Sequence, residues 1–214
     1  MVGRCLAALA IAWLGVCVVG LVYLRFFPPL LTGIQLQRWW EYGHPPRPAS
    51  RFVPLSGLGP HLPHAVVAAE DSRFFEHGGI DWTGVREAAE DNWRRGRVRR
   101  GGSTITQQLV KNLFFTDGAA FVRKPFELPL SFAAEYILSK QRILELYLNV
   151  VEFGPGIYGG ADAAQHYFGV SPAFLGKDQA ARLAACLPAP RTRRPARMTA
   201  YAALIRRRMA VMGW

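Results

Sequence analysis

Between Cys5 and Leu24 the chain runs for twenty residues without a charge, with Arg4 before it and Arg25 after it. At a helical rise of roughly 1.5 Å per residue this stretch spans roughly 30 Å, the thickness of a bilayer core. No small-residue cleavage site stands between Val22 and Arg25, so the pattern predicts an uncleaved membrane anchor over 5–24 rather than a signal peptide. A buried core helix is the weaker reading. Charge leaves the orientation nearly balanced, with Arg4 on one side and Arg25, Arg38 and Arg47 on the other. Residues 25–59 hold Pro28, Pro29, Pro45, Pro46 and Pro48 and read as a linker and domain entry. Trp39 and Trp40 within it suit either a membrane interface or the domain surface. A short tail, 1–4, precedes the anchor, and a folded domain is expected over 60–214.

From Pro63 the apolar positions take a helical period. The spacing predicts a helix over 64–76, stopped by Gly78 and Gly79, and a second over 82–95 capped by Asp81. A third should start near Ser103 or Thr104. Residues 113–122 are apolar for a connection, which suits a core contact or a membrane-facing lip. Helices follow over 123–138, with Pro125 near the start and a kink expected at Pro129, and over 141–149, where Ile143, Leu144, Tyr147 and Leu148 form an apolar stripe. Glycines 154, 156, 159 and 160 precede a helix over 161–168. Ser171 and Pro172 signal another start. Short helices over 179–187 and 199–212 end the pattern. No strand-like alternation of any length occurs, so the domain reads as mostly α.

Three stretches carry candidate chemistry. Continued through its end, the predicted 64–76 helix sets Glu70, Phe74 and His77 on one face at spacings of four and three. A carboxylate beside aromatic bulk has its pKa raised by desolvation and can exchange a proton with a sugar hydroxyl or a leaving oxygen. A surface acidic pair, Glu70 with Asp71, is the plainer alternative. Residues 100–112 join Gly101 and Gly102 to a predicted capping box, Thr104 with Gln107, and set Lys111 on the same face as Gln107. Free amides at such a start suit a phosphate or pyrophosphate, and they equally suit a simple cap. Arg123 and Lys124 lie beside Glu127, an arrangement fit for gripping phosphate oxygens or for an ordinary ion pair. Glu127 is also a candidate for a divalent metal.

Charge adds a direction to this picture. The chain carries 26 basic against 15 acidic side chains, and only Lys111, Lys124, Lys140 and Lys177 among the basic ones are lysine. The excess, with its run Arg94, Arg95, Arg97, Arg99 and Arg100, suits nucleic acid, anionic lipid or a phosphorylated substrate alike. Cys5, Cys17 and Cys186 form no disulfide framework. His61, His64 and His77 lack zinc-ligand spacing, and Cys186 on an apolar helix is no nucleophile.

Taken in order, these residues resemble the peptidoglycan glycosyltransferase family (glycosyltransferase family 51), most of all its monofunctional, membrane-anchored, biosynthetic members. The first motif is Glu70, Asp71, Phe74, His77, Gly79 and Asp81. The second is complete over 101–112, and the third is Arg123, Lys124 and Glu127. The fourth is Lys140, Ile143, Leu144, Glu145, Tyr147, Leu148 and Asn149, and a fifth region covers 156–169. The resemblance implies a lysozyme-like, all-α domain with a small membrane-associated jaw lobe, behind one N-terminal transmembrane helix. It implies polymerisation of lipid II by inverting transfer of the undecaprenyl-pyrophosphate-linked glycan to the 4-hydroxyl of N-acetylglucosamine, forming β-1,4 bonds. Glu70 then matches the general base and Glu127 the second essential carboxylate. Lys111, Arg123 and Lys124 match cations near the donor phosphates, and Asp71, Ser103, Thr104 and Gln107 match the lining of the substrate cleft. A divalent metal, Mg or Mn, is implied as an aid to the leaving pyrophosphate, with no organic cofactor. The implied location is the bacterial cytoplasmic (inner) membrane with the catalytic domain on the periplasmic side. Cell-wall synthesis and division proteins are the implied partners, and nucleic acid is not. Two rival classes stay open on residues alone: a lysozyme-like or lytic transglycosylase enzyme that cleaves glycan, and a non-catalytic membrane scaffold.

Overall fold

Ten α-helices, three short 3-10 turns and one two-stranded hairpin form the regular elements of the described residues of the computed structural model, which are 2–43, 52–95, 102–118 and 120–214. In chain order they are α1 (Val2–Phe26), α2 (Gly33–Tyr42), α3 (His61–Glu70), α4 (Trp82–Arg95), α5 (Ile105–Phe114), α6 (Ala120–Ile137) and α7 (Lys140–Val150). The hairpin β1 (Glu152–Gly154) and β2 (Ile157–Tyr158) follows, then α8 (Gly160–Phe168), α9 (Lys177–Ala184) and α10 (Thr199–Val211). The strands pair antiparallel, Glu152 opposite Tyr158. Arg47, Arg97, Arg99, Arg100, Gly101, Pro45, Pro46 and Pro48 lie outside the described residues.

Local caps set three helix starts where the sequence predicts them. Asp81 Oδ1 accepts the Gly84 amide at 2.8 Å and opens α4. Thr104 and Gln107 form the reciprocal capping box of α5, and Ser139 Oγ accepts the Arg142 amide at 3.1 Å to open α7. Each such cap contributes about 1 kcal/mol. The predicted apolar stripe of α7 is wholly inside: Ile143, Leu144, Tyr147 and Leu148 are buried, with Ile105, Leu109 and Val110 of α5 in the same core. α5 packs against α6 and α7, while α3 packs against α9 and α10.

α1 is the one described helix long and apolar enough to cross a membrane. Cys17, Leu21 and Leu24 are buried where α1 meets the domain, and α6 is its main neighbour, while Leu9, Ile11, Val16 and Val19 face outward. So much exposed apolar surface on one helix suits a lipid surround. The end of α1 is tied to the domain by Arg142, which donates to the Leu24 carbonyl at 2.8 Å and the Phe27 carbonyl at 2.7 Å. These are the unpaired carbonyls of a helix C-terminus, where a cation is favourable. The apolar 113–122 connection divides between its two expected fates. Phe115 meets Trp13 of α1 edge-on at 5.1 Å, whereas Phe121 and Val122 stand exposed.

Four expectations are corrected. The 25–59 segment is not all linker, because the Thr32–Gln35 capping box starts α2 within it. α2 lies close on the end of α5, where a Cβ at Gly33 would collide with the Phe115 carbonyl. On α2, Trp39 and Trp40 are exposed. The first domain helix stops at Glu70 rather than 76, so Glu70, Phe74 and His77 do not share a helical face. Asp71 leaves the helix because its side chain is recruited elsewhere, and Phe74 turns into the core. The third correction is the start of α6, which opens at Ala120, ahead of the expected Arg123, and stays helical through Pro125 and Pro129. Both prolines lie on its exposed side, so the carbonyls they leave unpaired are near solvent. Lastly, Ser171 and Pro172 open only a single 3-10 turn, Pro172–Phe174.

Candidate active site

The end of α3, the start of α5, α10 and the segment after α9 enclose a cleft of about 760 Å³. Glu70, the last residue of α3, lines it. Gln108 Nε2 of α5 donates to Glu70 Oε2 at 2.8 Å. The carbonyl of that same amide, Oε1, accepts the hydroxyl of Tyr147 of α7 at 2.7 Å. Burial raises the Glu70 carboxyl above the usual carboxylate range; the Gln108 amide, Arg193 and Arg208 pull it back, and Asp71 adds to the rise. The carbonyl end of α3 also disfavours a negative charge there. Arg208 offsets this by donating to the carbonyls of Ala68 at 3.2 Å and Ala69 at 3.4 Å. The result is a carboxyl that takes up a proton more readily than an ordinary glutamate.

Asp71 is next in sequence and has a different task. Its Oδ2 accepts the Ile105 amide at 3.0 Å, and its Oδ1 lies 2.9 Å from His77 Nε2. Thr104 and Gln107 satisfy each other's amides, and the Thr104 hydroxyl donates to the Gly79 carbonyl at 2.6 Å. The start of α5 therefore has its own carboxylate in place, with Asp71 in the position expected of a bound anion. Asp71 and Thr104 reach the cleft wall, Ser103 lies exposed on it, and Gln107 is buried as the cap.

Lys111 lies in a second, smaller cleft of about 270 Å³ that shares Gln108 and Pro188 with the first. With it stands Arg38 of α2, from the segment expected to be linker. Its guanidinium is almost fully buried and pairs with Glu41 at 2.8 Å, with Asp117, and with Glu152 at 3.6 Å. Burial alone would lower the Arg38 pKa, but these three carboxylates outweigh it and hold the group charged. Asp117 links Arg38 to Lys111, whose Nζ is 3.4 Å from Asp117 Oδ1. Burial works to raise the Asp117 carboxyl, yet Lys111 and Arg38 bring it below its ordinary value. The Thr32–Gln35 capping box was the local signal that the segment is helical and that Arg38 is held in place.

Arg123, Lys124 and Glu127 come together as the third motif predicts, but deep in α6. Glu127 is buried, paired with Arg123 on one oxygen and with Lys124 Nζ at 3.1 Å on the other. Arg123 also donates to the Thr116 carbonyl at 2.7 Å, which clamps the connection between α5 and α6. Lys124 reaches toward the larger cleft, 3.4 Å from Ser103 Oγ. Neither Arg123 nor Glu127 lines the two clefts. With a cation on each oxygen, Glu127 does not fit as a metal ligand, and no cluster of three His, Cys, Asp or Glu among the described residues suits a metal.

Known proteins give this arrangement its context. A family model described as Transglycosylase matches residues 41–213. The biosynthetic peptidoglycan transglycosylase of Janthinobacterium sp. (strain Marseille) is 50% identical over 163 residues, covering 74% of this chain and 71% of the relative. That of Marinomonas sp. (strain MWYL1) is 45% identical over 193 residues, 89% of this chain and 83% of the relative. That of Bordetella pertussis is 50% identical over 155 residues, 71% of this chain and 64% of the relative. These likenesses set aside the non-catalytic scaffold. With a buried carboxyl in one cleft, a cation-bearing pocket beside it and one membrane-length helix in front, a family match over 41–213 and relatives at 45–50% identity show that the chain belongs to the biosynthetic peptidoglycan transglycosylases, membrane-associated glycosyltransferases of cell-wall synthesis.

Proposed function

We propose that this protein polymerises lipid II into linear glycan strands, with Glu70 as the base. The observation that carries the reading is Glu70 itself: Oε2 is held by Gln108, and Oε1 has no partner among the described residues. In the reaction the O4–H bond of the acceptor N-acetylglucosamine breaks and its proton passes to Glu70. The O4 electron pair forms a bond to the donor's anomeric carbon, and the bond from that carbon to the diphosphate breaks, its pair leaving on the phosphate oxygen. Attack from the opposite face inverts α to β. The helical domain then corresponds to a lysozyme-like glycosyltransferase fold, and exposed Phe121 and Val122 suit a jaw lobe at the membrane surface.

In this reading the departing diphosphate lies toward the smaller cleft, near Lys111. Fixed cations act most where charge develops, at the leaving oxygen in the transition state. Lys111→Ala is expected to lower kcat about 10- to 100-fold, the loss of one charge-assisted bond, with a smaller rise in KM. Steady-state kinetics on lipid II check this; an unchanged kcat would move the diphosphate elsewhere. Glu127 is a positioning residue here, holding Arg123 and Lys124.

A raised carboxyl pKa also suits an acid that cleaves finished glycan. Lipid II and purified glycan strands, offered separately to the full chain, decide between the readings. Strand growth from lipid II without shortening of glycan is expected.

The reading sets the catalytic domain outside the bacterial cytoplasmic membrane, where lipid II is polymerised, with α1 as a single-pass anchor. Protease added to spheroplasts should digest the domain from Arg38 onward. Full protection of the domain, or recovery of a soluble product lacking α1, would overturn the topology.

A further inference from the structure

We infer that Tyr147 and Gln108 form a positioning relay that fixes one orientation of the Gln108 amide and so sets the proton affinity of Glu70; the inference rests on Glu70 being the base. The argument is one of donors and acceptors. A phenol at ordinary pH has one hydrogen to give, and Tyr147 gives it to Gln108 Oε1 at 2.7 Å. Its ring is completely buried in the core, so the hydroxyl has little freedom to seek another acceptor. An amide whose oxygen is claimed on one side must present its NH₂ on the other, where Glu70 Oε2 lies at 2.8 Å. A donor facing a carboxylate favours the ionised form. With the opposite amide orientation, oxygen would face oxygen and favour the protonated acid.

The relay therefore opposes burial. Burial and the end of α3 push Glu70 toward its neutral form, and the fixed amide keeps the anion accessible for accepting a proton. It also spends Oε2 and leaves Oε1 for the substrate hydroxyl. The other charged or titratable groups around Glu70 come from every side of the cleft: Asp71 beside it, Asp81 and Asp91 from around α4, Arg193 after α9, and Tyr201 and Arg208 of α10. The hydrogen bonds of the Gln108 side-chain amide among the described residues run to Glu70 and Tyr147, so the relay is separable from the field of these groups. Gln107, one residue earlier, has the same chemistry but is committed to the α5 cap.

The test is the pH profile of kcat on lipid II for the full-length protein in detergent, with folding checked by circular dichroism. Tyr147→Phe keeps the buried ring and removes only the hydroxyl that orients the amide. Its acidic limb is expected to move to higher pH by about one unit, the worth of a hydrogen bond to a charged group, with rates lost at low pH recovering at higher pH. Gln108→Leu removes the donor itself and should move the limb at least as far in the same direction. A limb that stays in place in both folded variants, with kcat lowered evenly at all pH values, would reduce the pair to a structural contact and overturn the relay while leaving Glu70 as the base. An active Glu70→Gln enzyme that kept the wild-type limb would overturn both.

Discussion

Glu70→Gln is expected to lower lipid II polymerisation by about 100- to 10,000-fold, the usual worth of a general base. Glutamine fills the same volume and can accept the Gln108 N–H, so the cleft keeps its shape, but its amide cannot take the acceptor's proton. Lipid II affinity should stay near the wild-type value, since the loss falls on the chemical step. Stability gives a second, independent readout with the opposite sign. Because burial raises the folded carboxyl above its unfolded value, the folded state binds this proton more tightly than the unfolded chain does. Its contribution is full below the ordinary carboxylate pKa and is lost as pH rises through the raised folded value. At neutral pH the ionised side chain is therefore a burden on the fold, and Glu70→Gln should melt at the same or a higher temperature than wild type, an advantage that disappears in acid. Thermal melts at neutral and acidic pH, beside a polymerisation assay, test both halves. Polymerisation within a few-fold of wild type would end the assignment, and a neutral-pH melting temperature well below wild type would mean the carboxylate is a structural partner.

Glu127→Ala is expected to act on the fold first. It leaves the largely buried Arg123 beside an empty site, facing the Thr116 carbonyl without its carboxylate. Removing one partner of a buried ion pair costs about 3–5 kcal/mol. In a domain of this size that corresponds to a melting temperature lower by about 6–20 °C. Lys124→Ala should do much less, because Lys124 is the more exposed partner and solvent screens what it loses. Arg123→Lys keeps the charge but not the fork that spans Glu127 and the Thr116 carbonyl, so it should fall between the two. Melts of the three variants order these effects directly. A folded Glu127→Gln protein that melted like wild type yet polymerised nothing would show the carboxylate at the substrate rather than in the clamp.

Much of the architecture was legible along the chain because its causes are local. A run of twenty uncharged residues announces α1 by length alone, and the starts of α4 and α5 follow from Asp81 and from Thr104 with Gln107, each bonded within three residues; α7 opens on Ser139 by the same local geometry, which its apolar stripe alone did not announce. Membership of the transglycosylases was legible too, since the four motifs stand in order and a match over 41–213 reads the same residues. Where the reading failed, the deciding bond was distant. α3 ends at Glu70 because Asp71 is held by the Ile105 amide, thirty-four positions later. Arg38 carries no local sign of its role, because its partners Asp117 and Glu152 are far along the chain and it lies just ahead of the family match. That α6 stays helical through Pro125 and Pro129 was likewise decided by the fold, which sets both on its solvent side.

The clearest division is between two neighbouring glutamines. The sequence by itself determines that Gln107 caps α5, since Thr104 stands three residues before it and the capping box is a local geometry. It says nothing comparable of Gln108, which has the same side chain and the same helical propensity. One residue further round a helix turns the side chain by about 100°, away from the cap and into the space between helices. What it meets there, Glu70 from α3 and Tyr147 from α7, is settled by how three helices distant in sequence pack, so only the tertiary structure assigns that amide to the base.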